Sequence, residues 1–285
     1  MMSKSFIKVA AAASLMMSAS FANALVAIDG WQIDTTNAPT IAPAVTTNIG
    51  HLNLAGGSAT VEQEVNLLGN PFAGARFDEF GSIFSIAYTP ENVVGLGDFG
   101  LPSVFAGGMS LELVFDGLQG VVTSYDIATG AIDFLFDSGV GSVNLEATIG
   151  GVTDVVASFS VVSPSGGDLG DFGGSAGTQG QSTISSLVVN SVSDLFRDSA
   201  GNSLSPLIAA NELFAQVVTT NSIFSPFAFA GPCSFDNTAF CATGVVNSEG
   251  RLDLLRIPEP LTTMLMSIGL LAMALIRRRK TEFDA

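Results

Sequence analysis

Lysine is missing between Leu25 and Ile257, histidine occurs once in the whole chain, cysteine twice, tryptophan once and tyrosine twice. Each scarcity excludes something. In that stretch Arg76, Arg197, Arg251 and Arg256 stand against 23 Asp and Glu, a formal charge of −19. Such a field repels nucleic acid and anionic lipid, so neither is expected as a partner. It also keeps an exported protein soluble and attracts divalent cations or basic polymers. The lone His51 leaves too few ligands for a histidine-based zinc, copper or non-haem iron site. It also undercuts the match of Gly173-Gly174-Ser175-Ala176-Gly177 to a hydrolase nucleophile elbow, which needs a histidine later in the chain. With Trp31, Tyr88 and Tyr125 as the complete Trp and Tyr set, the aromatic lining of a sugar cleft is thin as well.

Carboxylate chemistry needs only two acids at the right separation. Glu62 and Glu64 share a strand face by spacing, and Asp78 and Glu79 are adjacent. Spacing alone places neither pair across a cleft. The expectation is therefore a protein that is not an enzyme. A secreted carbohydrate-active enzyme using a carboxylate pair, or a cation- or glycan-binding module, are the alternatives.

The cysteines, Cys233 and Cys241, are close in sequence and flank Asp236-Asn237, a turn-forming pair. Outside the cytoplasm a pair of this kind is most simply a disulfide, a structural staple.

The long apolar runs lie at the two ends. Residues 1–24 combine Lys4 and Lys8, an apolar run from Val9 to Met17, and Ala22-Asn23-Ala24, the three parts of a secretory signal with cleavage expected before Leu25. Export by the Sec machinery follows. At the other end Leu261 to Ile276 is unbroken apolar or small sequence, followed directly by Arg277, Arg278, Arg279 and Lys280. Sixteen helical residues reach about 24 Å, and snorkelling cations and local thinning supply the rest of a hydrocarbon core of roughly 30 Å. A single C-terminal transmembrane helix is expected, with the basic cluster in the cytoplasm.

Just before that span stands Ile257-Pro258-Glu259-Pro260, where two prolines hold the backbone extended around a carboxylate, a form that a processing enzyme can grip. Pro-Glu-Pro, an apolar span and an arginine cluster, in that order, resemble the PEP-CTERM sorting signal. The resemblance covers about the last 30 residues (258–285), with Leu261 where the family often has a small residue and Thr281 to Ala285 extending past the basic cluster. It implies a Gram-negative host that makes exopolysaccharide. It further implies recognition of Pro258, Glu259 and Pro260 by an exosortase, and transient inner-membrane anchoring through the span and Arg277 to Arg279. Release to the cell surface or extracellular matrix follows, with a contribution to exopolysaccharide, biofilm or floc formation.

Between the two ends, residues 25–257 show little helical periodicity and many short alternating segments bounded by Gly, Pro, Asn or Asp. Met109 to Phe115, Val121 to Ile127, Ala131 to Phe136, Val143 to Ile149 and Val156 to Val162 read as an antiparallel meander, with Gly130 at the left-handed position of a three-residue hairpin loop. Thr183 to Val189 and Phe214 to Thr219 read as further strands, while Val192 to Arg197 and Leu207 to Phe214 are compatible with short helices. The 21 phenylalanines stand often in strand-like settings such as Ile83-Phe84 and Phe134-Leu135-Phe136, and at period-two spacing they are expected in the core. Ser165 to Gln181 carries seven glycines in seventeen residues and is expected as an exposed loop, or as a linker between two lobes. Within it Asp168 and Asp171 are weak candidates for calcium, in a single imperfect copy of a glycine-aspartate repeat. No other cofactor is expected. The fold class is mainly β: an antiparallel β-sandwich or jelly-roll-like domain.

Overall fold

The computed structural model describes residues 25–91, 102–170 and 179–257. The export signal with Ala22 and Ala24, Asp171, the Gly173 to Gly177 match and the tail with Pro258, Glu259, Pro260, Arg277, Arg278 and Arg279 lie outside the described residues. A compact unit spans Ala27–Arg256.

Its elements are strands. The first part of the chain holds β1 (Val26–Ala27), β2 (Trp31–Asp34), β3 (Val45–Val65), β4 (Arg76–Pro90), β5 (Ser103–Val104) and β6 (Ser110–Tyr125). It continues with β7 (Ile132–Phe136), β8 (Ser142–Ile149), β9 (Val152–Leu169), β10 (Gln179–Ser191) and β11 (Phe196–Arg197). A five-residue helix, α1 (Ser205–Ala209), precedes β12 (Leu213–Pro232) and β13 (Phe240–Arg256). Among the described residues, no helix is long and apolar enough to cross a membrane.

The mainly β, antiparallel expectation holds, but the strands form one sheet and not two. The pairing runs β13-β12-β10-β9-β7-β6-β4-β3-β2-β11, and β13 also pairs with β3. That last pairing, from Phe240 opposite Val65 to Leu252 opposite Leu52, closes the sheet on itself. The result is a ring of eight strands, β3, β4, β6, β7, β9, β10, β12 and β13, in which β8 takes the place of β7 along the other half of β6 and β9. Closure leaves no open edge within the ring, which removes the template for strand addition that an open sheet presents.

Alternation builds the inner face. In β8 the residues Val143, Leu145, Ala147 and Ile149 are buried while Ser142, Asn144, Glu146 and Thr148 face outward. Each large apolar side chain so buried contributes roughly 1.5–3 kcal/mol. In β6 the buried set is Leu111, Leu113 and Phe115, then Leu118 and Val122, so the phase slips by one residue. Gly117, with φ of 64°, takes up the extra residue in a bulge. Two of the expected strands, Met109 to Phe115 and Val121 to Ile127, are thus one bent strand. One half pairs with β8 and the other with β7.

The glycine-rich stretch is the main correction. Ser165–Leu169 ends β9 and Gln179–Gln181 begins β10, and the two pair antiparallel, Gly167 opposite Ser182 and Gly180 opposite Leu169. A Cβ on Gly167 would stand 2.0 Å from the Gln181 carbonyl oxygen, and one on Gly180 would stand 2.1 Å from that of Asp168. These glycines serve close strand approach, not loop freedom. Of the two candidate helices, Val192 to Arg197 is a turn leading into β11, and the helix that forms lies at Ser205–Ala209.

Two apolar clusters fill the interior. The larger gathers around Trp31, Leu52, Leu111, Leu145 and Leu213. The smaller, at the other end of the strands, comprises Val65, Ala75, Val122, Ile132, Leu169, Ile223 and Ala242.

Candidate functional site

Where the two clusters meet, the inner face of the ring turns polar. Ser182 on β10, Thr219 and Asn221 on β12, and Ser248 on β13 are buried and face one another through the register of those strands. They satisfy themselves. Ser182 Oγ and Thr219 Oγ1 are 2.6 Å apart, Thr219 Oγ1 donates to Asn221 Oδ1 at 2.9 Å, and Ser248 Oγ donates to the same oxygen at 3.0 Å. Asn221 Nδ2 closes the loop by donating to Ser182 Oγ at 3.2 Å. Buried Gln63 is likewise satisfied, its Nε2 donating to the backbone oxygens of Glu64 and Arg76 at 3.0 and 3.1 Å. A fully paired polar network of this kind is stable inside a protein.

Glu79 is the exception. On β4, Phe77 pairs with Gln63 and Glu79 with Val61, so period two turns Glu79 inward with the Phe77 ring. No described group donates a hydrogen bond to its carboxyl. Its half-buried side chain lines a cavity of about 40 Å³ that opens in part to solvent. Burial, and then the charge of neighbouring Asp78, push its pKa up to about 7. The cavity walls are otherwise mostly apolar: Val61, Phe77, Ile132, Phe134, Leu169 and Phe227, with Asn221 at one side. Phe77, Phe134 and Phe136 stack edge to face, with centroids 5.4–5.5 Å apart. Asp168 also lines the cavity and is itself exposed, which marks where the cavity comes nearest to solvent.

The structure separates the acids that the sequence set side by side. Asp78 points to the outer face, where it lies opposite Glu62. Burial raises its pKa, with further contributions from the charges of Glu62 and Asp116, and its Oδ1 has no hydrogen-bond partner. Glu62 accepts the backbone N–H and the hydroxyl of Ser234, and Glu64 accepts the backbone N–H of Arg76 at 2.9 Å. Both tie down neighbouring chain.

Compared with protein-family models, curated proteins and solved structures, the chain finds no match.

The remaining expected residues fall as follows. Cys233 and Cys241 form a disulfide. Between them Asp236 Oδ1 accepts the Thr238 N–H at 2.8 Å, the side-chain turn anticipated from Asp236-Asn237. Asp168 stands opposite Asp133 across β7 and β9. Among the described residues no group of three or more His, Cys, Asp or Glu could hold a metal ion. His51 lies within β3, opposite Thr89. Among the described residues three of the four arginines face carboxylates: Arg76 with Asp137 at 3.2 Å, Arg197 with Asp34 at 3.0 Å and Arg251 with Asp253 at 3.1 Å.

Sequence reasoning noticed Glu79 only as a neighbour of Asp78. A signal was present, since Phe77, Glu79 and Gly81 share one strand face. The opposite face, however, carries Phe80, and a phenylalanine on each side hides which is inner. The fold decides: Phe77 is 4% exposed and Phe80 43%.

Proposed function

We infer that this chain is an exported, non-enzymatic protein of the cell surface or extracellular matrix. An exosortase sorts it, and it contributes to exopolysaccharide matrix, biofilm or floc formation in a Gram-negative host. The observation that carries the reading is the order Pro258-Glu259-Pro260, Leu261 to Ile276, Arg277 to Arg279, set directly behind the last strand. Since β13 ends at Arg256, cleavage at the proline pair would remove no strand of the sheet. The tail is a sorting device with a transient transmembrane helix, and the sheet is the delivered product. Two further features support export. The disulfide suits an oxidising compartment. The closed ring and the excess of acids suit a protein that must stay soluble in a crowded polymer.

The enzyme alternative gains Glu79, whose raised pKa suits a general acid, but a cavity of about 40 Å³ admits a few water-sized groups and not a sugar ring held between two carboxyls. Contact with polysaccharide belongs to the acidic outer face, through hydrogen bonds or bridging divalent cations.

Intact mass of the protein from membrane and extracellular fractions of its host tests the reading. A start at Leu25, an end within Pro258 to Pro260 and the loss of two hydrogens at the cysteines are expected outside the cell. Membrane-bound protein that keeps every residue to Ala285, with none released, would make the tail a permanent anchor and remove the exosortase from the account. A deletion strain should lose aggregation, and regain it with the wild-type chain but not with one lacking residues 258–285.

A further inference from the structure

We propose that the interior of the ring between its two apolar clusters is a binding site for a small primary alkylammonium ion, with Glu79 as its counter-charge and the Phe77 and Phe134 rings as its walls. The proposal is independent of how the protein is sorted.

The argument begins with what faces Glu79. Inward positions on the flanking strands supply Val61 and Gln63 from β3, Leu118 from β6, Ile132 and Phe134 from β7, and Asn221 from β12. None is basic. The nearest charged groups, Asp78 beside it on β4 and Asp168 on β9, are acids. A carboxylate taken out of water without a partner is costly, and proteins otherwise pair such a group or neutralise it. Of the surrounding donors, the Gln63 amide is committed to two backbone oxygens and one Asn221 N–H to Ser182. Above about pH 7 the carboxylate carries its charge with no cation beside it, and the cavity is the route by which one can reach it.

Its chemistry follows from the walls. A ring of eight strands has an interior just wide enough to be filled by side chains or to hold one small ligand. A cavity of about 40 Å³ accepts a group of roughly three water-sized units. A carboxylate, with aromatic rings and aliphatic side chains in the same walls, complements a cationic head on a short alkyl tail. The ammonium donates to Glu79 and meets the ring faces by cation–π attraction, while the tail contacts Ile132 and Leu169. A bare metal ion is a poorer fit: Asp168, the second carboxylate on the wall, is exposed, and among the described residues no group of three or more His, Cys, Asp or Glu could hold a metal ion.

The test is calorimetric titration of the full-length protein with ethylammonium chloride at pH 8, with ethanol, ammonium chloride and sodium chloride as separate titrants at matched ionic strength. Saturable binding of ethylammonium is expected, at least tenfold weaker for ammonium, sodium or ethanol. Glu79→Gln should weaken it at least tenfold, Phe134→Leu several-fold, and Glu146→Gln, on the outward face of β8, by less than twofold. Glu79→Gln relieves a buried charge, so a folded variant is expected, and far-ultraviolet circular dichroism checks it. No saturable heat with the wild type means that water alone occupies the cavity and overturns the proposal. Equal affinity for sodium, or undiminished binding by Glu79→Gln, overturns it too.

Discussion

Glu79 keeps its proton over a pH range in which the unfolded chain has already released it. Its folded pKa of about 7 lies above the ordinary 4.5, so between these values the folded state binds more protons and stability falls as pH rises. The contribution is fully present below 4.5 and is lost by about pH 7, on the order of 3 kcal/mol across the window. Glu79→Gln should remove most of that slope, so the variant is expected to be more stable than wild type at pH 8 and nearly equal to it at pH 4.5; urea unfolding at the two pH values reads the difference. Asp253, whose pKa burial also raises, acts in the same direction in both proteins and cancels in the comparison. Asp34 acts oppositely. Burial pushes its pKa up, but hydrogen bonds from Thr36 and the pairing with Arg197 outweigh this and hold it below 3.8. Its contribution is present above 3.8 and fades only in more acid solution, outside the window of Glu79.

At the scale of elements, the close approach of β9 and β10 makes glycine obligatory at their crossing points. Gly167→Ala forces a Cβ against the Gln181 carbonyl and should cost at least about 2 kcal/mol in thermal or urea unfolding. Gly139→Ala, where an added Cβ meets nothing within 4 Å but φ is 73°, should cost less, about 1 kcal/mol from the left-handed backbone alone. The disulfide joins β12 to β13 across a short loop, so Cys233→Ser with Cys241→Ser should lower stability by roughly 2–3 kcal/mol. Fraying is expected first at that end, and hydrogen exchange at Phe240 to Thr243, opposite Val65 to Glu62, should speed up before that at Leu252. Strands with clean alternation, such as β8, were legible from sequence. The bend in β6 was not, because Asp116-Gly117 reads equally as a turn between strands and as a bulge within one. Only the presence of partners on both halves, β8 and then β7, selects the bulge.

For the molecule as a whole, charge is the dominant global term. With four arginines against 23 acids between Leu25 and Ile257, and three of those arginines already paired, the remaining carboxylates repel one another across a closed surface. Raising sodium chloride from about 10 mM to 300 mM shortens the screening length from about 30 Å to below 8 Å and should raise Tm; calorimetric scans at the two salt levels check it. An unchanged or lower Tm would mean that local pairs outweigh the global repulsion. Ring closure has its own consequence. Because β3 and β13 meet, most core contacts join residues far apart in sequence, so folding should be slow for the chain's size.

Composition and period-two patterning by themselves determined that this chain is a β protein and that Cys233 and Cys241 lie close enough to bond, because those properties depend on each residue's own chemistry and its near neighbours. The order of features at the C-terminus belongs to the same class, being written along the chain and not across it. Which face of Arg76 to Gly81 looks inward, why Gly167 and Gly180 lie in strands, and that the first long strand meets the last to close the ring were decided only by tertiary structure. Each of these rests on contacts between segments widely separated in sequence, and local patterning carries no information about which distant strand will lie alongside.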